Sequence, residues 1–396
     1  MSLKSYKLFP KEEYEERWKK ARKLMARKNI DALMVTSPIN YVYFVGSSAD
    51  MYGARQFFMI LSMDHDPIQL VHAFSATAKR RESWFEVRSY DTLLGFPYDN
   101  KLKEIVEELG LSKSRIGAEL GYEQRLGIPY NDFKKIEKQL SDVEFVDASD
   151  ILWELRMIKS RAEIECHRKA VDISCKAVVK VFEEAKEGMT EREVVDMLMK
   201  EQKRPEGAMD AFVFVNSGSY NYESGCLIPG DYRLKRGNIL WFDFGCNYKE
   251  HWSDLSAGVT MGKPLTKHMK MQENIVKITR NVITAIKPGM KASDLSKVAD
   301  EEFKKIGQPL TDMWGRGDGA GPSTNRAGRI GHGIGMQATE NPHIAKYDNT
   351  ILRAGMIISM EPCVVTDYGH FHAEEDILIT EDGYEVLSKI PRNLEV

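Results

Sequence analysis

Apolar positions early in the chain fall first at helical and then at strand spacing. Between Lys11 and Asn29, Tyr14, Trp18, Ala21, Leu24 and Met25 share one helical face while charges occupy the others, and the apolar run IDALMVTS follows. The pattern predicts a helix running into a buried strand. FFMILS (57–62) and IQLVHA (68–73) predict further strands, and Leu102, Ile105, Val106 and Leu109 line a helix face that stops at Gly110. Residues 1–150 are therefore expected to form an α/β domain. Nothing in them gathers His, Asp and Glu in a catalytic pattern, so this half is read as scaffold and oligomer contact. From Ser149 the spacing turns helical, through Ile151, Leu155 and Ile158 and again from Ile164 to Phe182, which places the start of a second domain, 151–396, in this connection.

The second half contains an internal echo. AKEGMTEREVVDML, from Ala185, and AIKPGMKASDLSKV, from Ala285, both read as helix, Gly-Met turn, polar cap and helix. Each precedes a stretch rich in strand formers and carboxylates, and two similar halves facing one another would bury a site between them. A chance match of two short helix-turn-helix pieces is the ordinary alternative.

Composition narrows the class. A chain of 396 residues exceeds what one core usually supports, which agrees with two domains. A net charge of −3, from 56 basic and 59 acidic residues mixed along the chain, leaves no basic stripe for nucleic acid. The five cysteines, Cys166, Cys175, Cys226, Cys246 and Cys363, form no CxxC pair, and their odd number argues against a disulfide framework, so a reducing cytoplasm is expected. No apolar run approaches the roughly 18 residues of a membrane span, and the N-terminus has no secretory pattern.

Candidate chemistry lies in the second half. NILWFDFG sets Asp243 at the end of an apolar strand signal, and Asp254 follows eleven positions later in HWSDLSAGVTMG, at hairpin distance. GRIGHGIGM presents His332 in what reads as a glycine-dense turn, where backbone approaches closely and an imidazole reaches a metal unhindered. MIISMEPCVV and HAEEDILITEDG are strand candidates carrying Glu361 and Glu375 inside apolar stretches. Buried carboxylates are costly, and a divalent cation is their usual compensation. Each residue has an ordinary explanation taken singly: a strand-end turn for Asp243, a solvated acidic tip for Glu375 beside Glu374 and Asp376, a hydrogen-bonded structural histidine for His332. Together, four carboxylates and one imidazole form a mostly hard-oxygen set that suits two ions such as manganese, cobalt, iron or zinc.

On these motifs the chain resembles the pita-bread fold metallopeptidases, which include prolidase, aminopeptidase P and methionine aminopeptidase, with creatinase as a non-peptidase relative. IDALMVTSPINYVYFVG resembles the creatinase-type N-terminal domain, LRMIKSRAEIECHRKA the linker helix, and GHGIG and EDILITEDG the metal-bearing segments. The resemblance spans nearly the whole chain. It implies a creatinase-like N-terminal domain followed by a pita-bread catalytic domain, an α/β (α+β) fold with a curved antiparallel sheet and pseudo-twofold helix pairs. It implies further that Asp243 binds one ion, that Asp254 and Glu375 bridge, that His332 and Glu361 serve the other, and that Glu361 shuttles a proton. A homodimer formed through the N-terminal domain is also implied.

The substrate half departs from that pattern. The peptidases carry a histidine eleven residues before the glycine matching Gly237, and that position is Cys226; a second, seven residues after His332, is Thr339. In the family these imidazoles hold the substrate carbonyl, contacts worth about 2–4 kcal/mol each in comparable oxyanion sites. Where the peptidases often have arginine two residues before the last ligand, this chain has Ala373, and Ala257 likewise replaces an arginine. His343, His370 and His372 are candidate replacements, with His372, three residues before Glu375, the favoured catalytic candidate; surface histidines are the ordinary reading of each. Arg326 and Arg329 flank a glycine-rich stretch that reads as a closing loop, so Arg329, with Cys226, Thr339 and His343, is a candidate substrate contact. Trp252, beside the second aspartate, belongs with them. The expected function is a dinuclear metal-dependent hydrolase, Xaa-Pro dipeptidase or aminopeptidase in type, that attacks with a metal-bridging hydroxide. The alternatives are a non-peptidase member of the fold, either a small amide or guanidine C–N hydrolase or a lyase on a small zwitterion, and a non-catalytic binding protein. Expected partners are a small peptide or amide substrate and a second copy of the chain, with no nucleic acid and no membrane.

Overall fold

Helix α1 (Lys11–Arg27) forms where the spacing predicts it, with Tyr14, Trp18, Ala21 and Met25 buried and Leu24 at the margin of the apolar face. The structure, a computed structural model, describes residues 7–47, 55–91, 99–205, 208–218, 222, 228–307, 323–324 and 329–395. Cys226 and Arg326 lie outside the described residues. The chain divides into two compact units, Met1–Arg156 and Met157–Val396.

In the first unit α1 leads into β1 (Ala32–Val35), α2 (Pro38–Val45), β2 (Phe58–Ser62), β3 (Ile68–His72), α3 (Ala73–Glu82), β4 (Glu86–Tyr90), α4 (Asp99–Glu108), β5 (Arg115–Ala118), α5 (Tyr130–Gln139), β6 (Glu144–Asp147) and α6 (Ser149–Met157). The strands make one mixed six-stranded sheet in the order β4-β3-β2-β1-β5-β6. β1 pairs antiparallel with β2 and parallel with β5. Both sheet faces are covered, so β1, β2 and β3 are buried throughout and read as continuous apolar runs rather than alternating ones. The buried Glu119 accepts hydrogen bonds from the backbone N–H of Thr36 and Ser37, the Thr36 hydroxyl and the Asn40 amide, all at 2.8–2.9 Å. Its bonding capacity is taken up in joining the ends of β1 and β5, a structural use of a buried carboxylate.

The second unit begins with α7 (Arg161–Glu184) and α8 (Glu191–Lys203). Each starts at a capping box, Ser160 with Glu163 and Thr190 with Glu193. The strands β7 (Ala208–Ser217), β8 (Ile239–Tyr248), β9 (His251–Trp252) and β10 (Leu255–Thr260) follow, then α9 (Thr266–Thr284) and α10 (Ala292–Lys305). The chain continues through β11 (Ser323–Thr324), β12 (Arg329–Gly333), β13 (Glu340–Ala345), β14 (Ile357–Met360), β15 (Cys363–Thr366), β16 (Gly369–His372), β17 (Glu375–Ile379) and β18 (Tyr384–Val386). These strands form antiparallel sheets in the orders β10-β8-β7 (with β9 on β8), β11-β15-β16 and β13-β12-β14-β17-β18.

The sequence echo is a structural repeat. Gly188 and Gly289 both sit at positive φ, 89° and 91°, a conformation glycine enters without a Cβ penalty. Gly188 N–H bonds Leu234 O and Leu234 N–H returns to Met189 O; Gly289 and Met290 make the same pair of bonds with Leu352, all four at 2.8 Å. The helix that follows then packs on a strand, α8 on β7 and α10 on β13. Alternation along β8 separates two cores. Leu240, Phe242 and Phe244 pack toward α7 and α8, whereas Ile239 and Trp241 join the core lined by α9 and α10. Asp243 is the next residue in the second series.

Candidate metal centre

The hairpin from β8 to β10 brings the two aspartates together. Tyr248 pairs with His251 across a turn in which Lys249 and Glu250 both adopt positive φ, and Asp243 faces Ser256, two residues past Asp254. Asp254 is 7 % exposed, and its backbone N–H donates to Asp376 Oδ2 at 3.1 Å. The Asp376 carboxylate also lies 3.2 Å from His167 Nε2 on α7, both residues being fully buried.

His332 lies within a strand, not in the turn its glycines suggest. β13 and β14 close on β12 from both sides, and a Cβ on Gly331 or Gly333 would stand 2.4 Å from Ser359 O or 2.1 Å from Asn341 O. Those glycines serve strand packing. The ring is oriented by Nδ1, 3.0 Å from Gly333 O. A carbonyl only accepts, so Nδ1 carries the proton and the Nε2 lone pair faces Asp254 Oδ2 at 3.6 Å and Glu361 Oε1 at 3.9 Å. Both distances are too long for a hydrogen bond. Glu361 follows β14, fixed by its backbone N–H to Ile330 O at 2.8 Å, and receives Arg329 Nε at 3.2 Å.

At the last carboxylate position, Glu374 rather than Glu375 turns toward the cluster. Glu375 turns away from the cluster, accepting from the Ser388 hydroxyl and from Arg392 Nε at 3.0 Å. Glu374 is 1 % exposed; Ser359 Oγ donates to its Oε1 at 2.8 Å while Oε2 has no hydrogen-bond partner. Adjacent residues of an extended chain point to opposite sides, so a shift of one position exchanges the residue that faces the cluster for its neighbour. With Glu374 in place, the position two residues ahead of the last carboxylate is His372 rather than Ala373. Potential ligand atoms converge in two sets, Asp254 with His332 and Glu374, and Glu361 with His372 and Glu374, each within 4.8 Å of one another. Glu374 belongs to both.

Burial and like charge act together on this cluster. Burial, then Glu361, raises Asp243 to about 7, against a bond with Asp254 that lowers it. Asp254 is held far above the aspartate range by burial and then by Glu374 and Asp243, and Glu374 likewise by burial, Asp243 and Glu361. Burial raises Glu361 too, with Arg329 opposing the rise. Burial pushes His332 and His372 down to about 3, with Arg329 adding to the first and Arg392 to the second, so both imidazoles are neutral lone-pair donors at neutral pH. Crowded carboxylates, neutral imidazoles and an unpartnered carboxylate oxygen together fit divalent cations.

The other candidates divide. His343, opposite His332 across β12 and β13, has Nδ1 3.2 Å from Arg329 Nη1, so Arg329 spans His343 and Glu361. Thr339 is exposed in the turn before β13. Trp252 packs on Phe212 at a ring-centre distance of 5.8 Å. His370 and His372 stack near-parallel with Trp241, the His370 ring 3.7 Å from it. In the sequence Glu374 and Asp376 stand only as the neighbours of Glu375, and His167 is assigned no role. The signal for the two carboxylates is the acidic triplet 374–376 inside an apolar strand pattern.

A buried carboxylate and imidazole cluster carried on antiparallel strands, framed by two repeated helix units, is the kind of site a metal-dependent hydrolase uses. Residues 165–381 match the description Metallopeptidase family M24 and residues 17–158 the Creatinase/Prolidase N-terminal domain, and the chain belongs to metallopeptidase family M24. It is 30% identical over 384 residues to the Xaa-Pro dipeptidase of Pyrococcus furiosus, covering 96% of this chain and 99% of that protein. Among solved structures, the prolidase from Pyrococcus horikoshii matches with a TM-score of 0.80 and 26% identity over 96% of this chain and 99% of that one. The prolidase from Pyrococcus furiosus matches with a TM-score of 0.76 and 28% identity, over 94% and 100%.

Proposed function

We propose that the protein hydrolyses small peptides as an Xaa-Pro dipeptidase or aminopeptidase, with two divalent cations (manganese, cobalt, iron or zinc) held by Asp243, Asp254, His332, Glu361 and Glu374. The observation that carries this reading is Glu374 standing in both sets of converging ligand atoms, the place of a carboxylate shared between two ions. When bound, such ions polarise a scissile carbonyl and lower the pKa of water. The protein's own groups supply the rest. His332 enters through Nε2 because Gly333 O holds Nδ1–H, an orientation metal-binding histidines commonly receive from a backbone carbonyl. Glu361, raised by burial and restrained by Arg329, is placed to take a proton from water and return it to the departing nitrogen. Arg329 presents a guanidinium beside Glu361 that suits the carboxylate of a short peptide.

The resemblance extends the proposal to a cytoplasmic homodimer. Cys166, Cys175, Cys246 and Cys363 are buried free thiols, which suits a reducing compartment, and among the described residues no helix is long and apolar enough to cross a membrane.

Incubation with Ala-Pro and Ala-Pro-Ala in added manganese or cobalt tests the activity. Release of alanine from either peptide is expected. A metal-loaded chain that cleaves neither, but opens a small amide or guanidine, would overturn the peptidase reading and leave the metal centre intact.

A further inference from the structure

We propose that His372 is a metal ligand, completing with Glu361 and Glu374 the second cation position, so that each of the two positions carries one imidazole. The inference rests on the reading that the cluster holds two divalent cations, and adds a ligand to that set.

Position and burial support it independently. His372 ends β16 and is 5 % exposed; its ring lies against the Glu361 backbone, and no close hydrogen bond fixes either ring nitrogen. Its Nε2 lies 3.9 Å from Glu374 Oε2, itself unpartnered. That gap is too long for a hydrogen bond, but two donors each about 2.1 Å from one ion reach up to about 4.2 Å apart. An ion between them satisfies both atoms.

The surrounding rings fix the plane in which that lone pair lies. His370 and His372, two residues apart on β16, are parallel within 7° with centres 5.9 Å apart. Trp241 lies against both, at 3.7 Å and 16° to His370 and at 5.8 Å and 22° to His372. Trp241 is also two residues before Asp243 on β8, so one strand supplies both a carboxylate and the aromatic surface that orients the opposing imidazole. A ring held this way offers its nitrogen edge, not its face, to the cluster. Imidazole at both positions shifts preference from manganese toward cobalt and zinc.

Apo protein titrated with cobalt or zinc, followed by calorimetry and by elemental analysis after gel filtration, tests the assignment in wild type, His372→Ala and His372→Asp. Wild type is expected to retain two ions. His372→Ala is expected to weaken the second by more than the roughly 10–100-fold that losing a ligand's supporting partner costs. His372→Asp, which restores a donor, is expected to recover the second ion with its preference moved toward manganese. If wild type binds two ions and His372→Ala binds both with unchanged affinity, this inference is wrong and the metal centre stands. Fewer than two ions in wild type would overturn the underlying reading and this inference with it. A His372→Ala chain that fails to fold leaves the decision to His372→Asp, whose metal preference is unchanged only if residue 372 does not bind the ion.

Discussion

Glu374→Gln is expected to abolish binding of both ions and to lower kcat/KM on the order of 10³-fold or more, whereas Glu375→Gln stays within about tenfold of wild type. Glu374 stands in both converging sets and has one oxygen without any partner. Removing its charge takes a ligand from each position at once. Glu375 bonds Arg392 and Ser388, and Arg392 in turn donates to the carbonyls of Ser256 and Glu374. Loss of that partly buried carboxylate therefore acts on stability, by about 1–3 kcal/mol, through an arginine left short of a partner. Parallel metal analysis, kinetics and urea unfolding of the two variants check this. Full activity in Glu374→Gln, or metal loss in Glu375→Gln alone, would reverse the assignment.

The second large effect is an opposite pH dependence of stability with and without metal. In the metal-free chain Asp243 has a carboxyl raised to about 7, and Asp254, Glu374 and Glu361 are raised as well. Between the unfolded aspartate value of about 3.9 and the raised native value, the folded chain holds protons that the unfolded chain has released. The contribution of these groups to stability is therefore fully present in acid, below the unfolded values, and falls as pH rises through the native ones. For Asp243 alone the loss is on the order of 2–4 kcal/mol. Bound cations replace those protons, so the loaded chain gains stability over the same range as metal affinity rises. Thermal unfolding at about pH 5.5 and pH 8, after chelation and after reloading, is expected to show Tm falling with pH in the first case and rising relative to it in the second. Parallel curves in the two states would mean that no cation replaces protons at these carboxylates.

Much of this architecture is legible in the sequence because it rests on local rules. The α1 face, the apolar runs of β1 to β3 and the two Gly-Met turns each follow from periodicity or from a backbone need that one residue type meets. The repeat is structural because Gly188 and Gly289 occupy the same positive-φ corner and make the same bonds. Asp243 was legible for a similar reason, as a carboxylate continuing the Ile239 and Trp241 series of a buried strand.

What escaped was register. Asp376, Ile377 and Ile379 are fully buried and Leu378 is 7 % exposed, so hydrophobicity around the Glu-Glu-Asp triplet does not mark which side faces the cluster. Pairing decides it: Ser359, opposite Asp376 on β14, reaches Glu374, and Arg392 claims Glu375. The support of Asp376 by His167 joins residues far apart in sequence, and no local pattern announces it. The glycines around His332 suggested a turn because glycine signals both turns and close strand packing, and only the neighbouring strands distinguish the two.

Metal content of the purified, reloaded wild-type chain tests the central claim most directly, by elemental mass spectrometry after exchange into metal-free buffer. The account predicts two divalent ions per chain, both lost on chelation. Absence of bound metal under conditions where the chain is folded would contradict it.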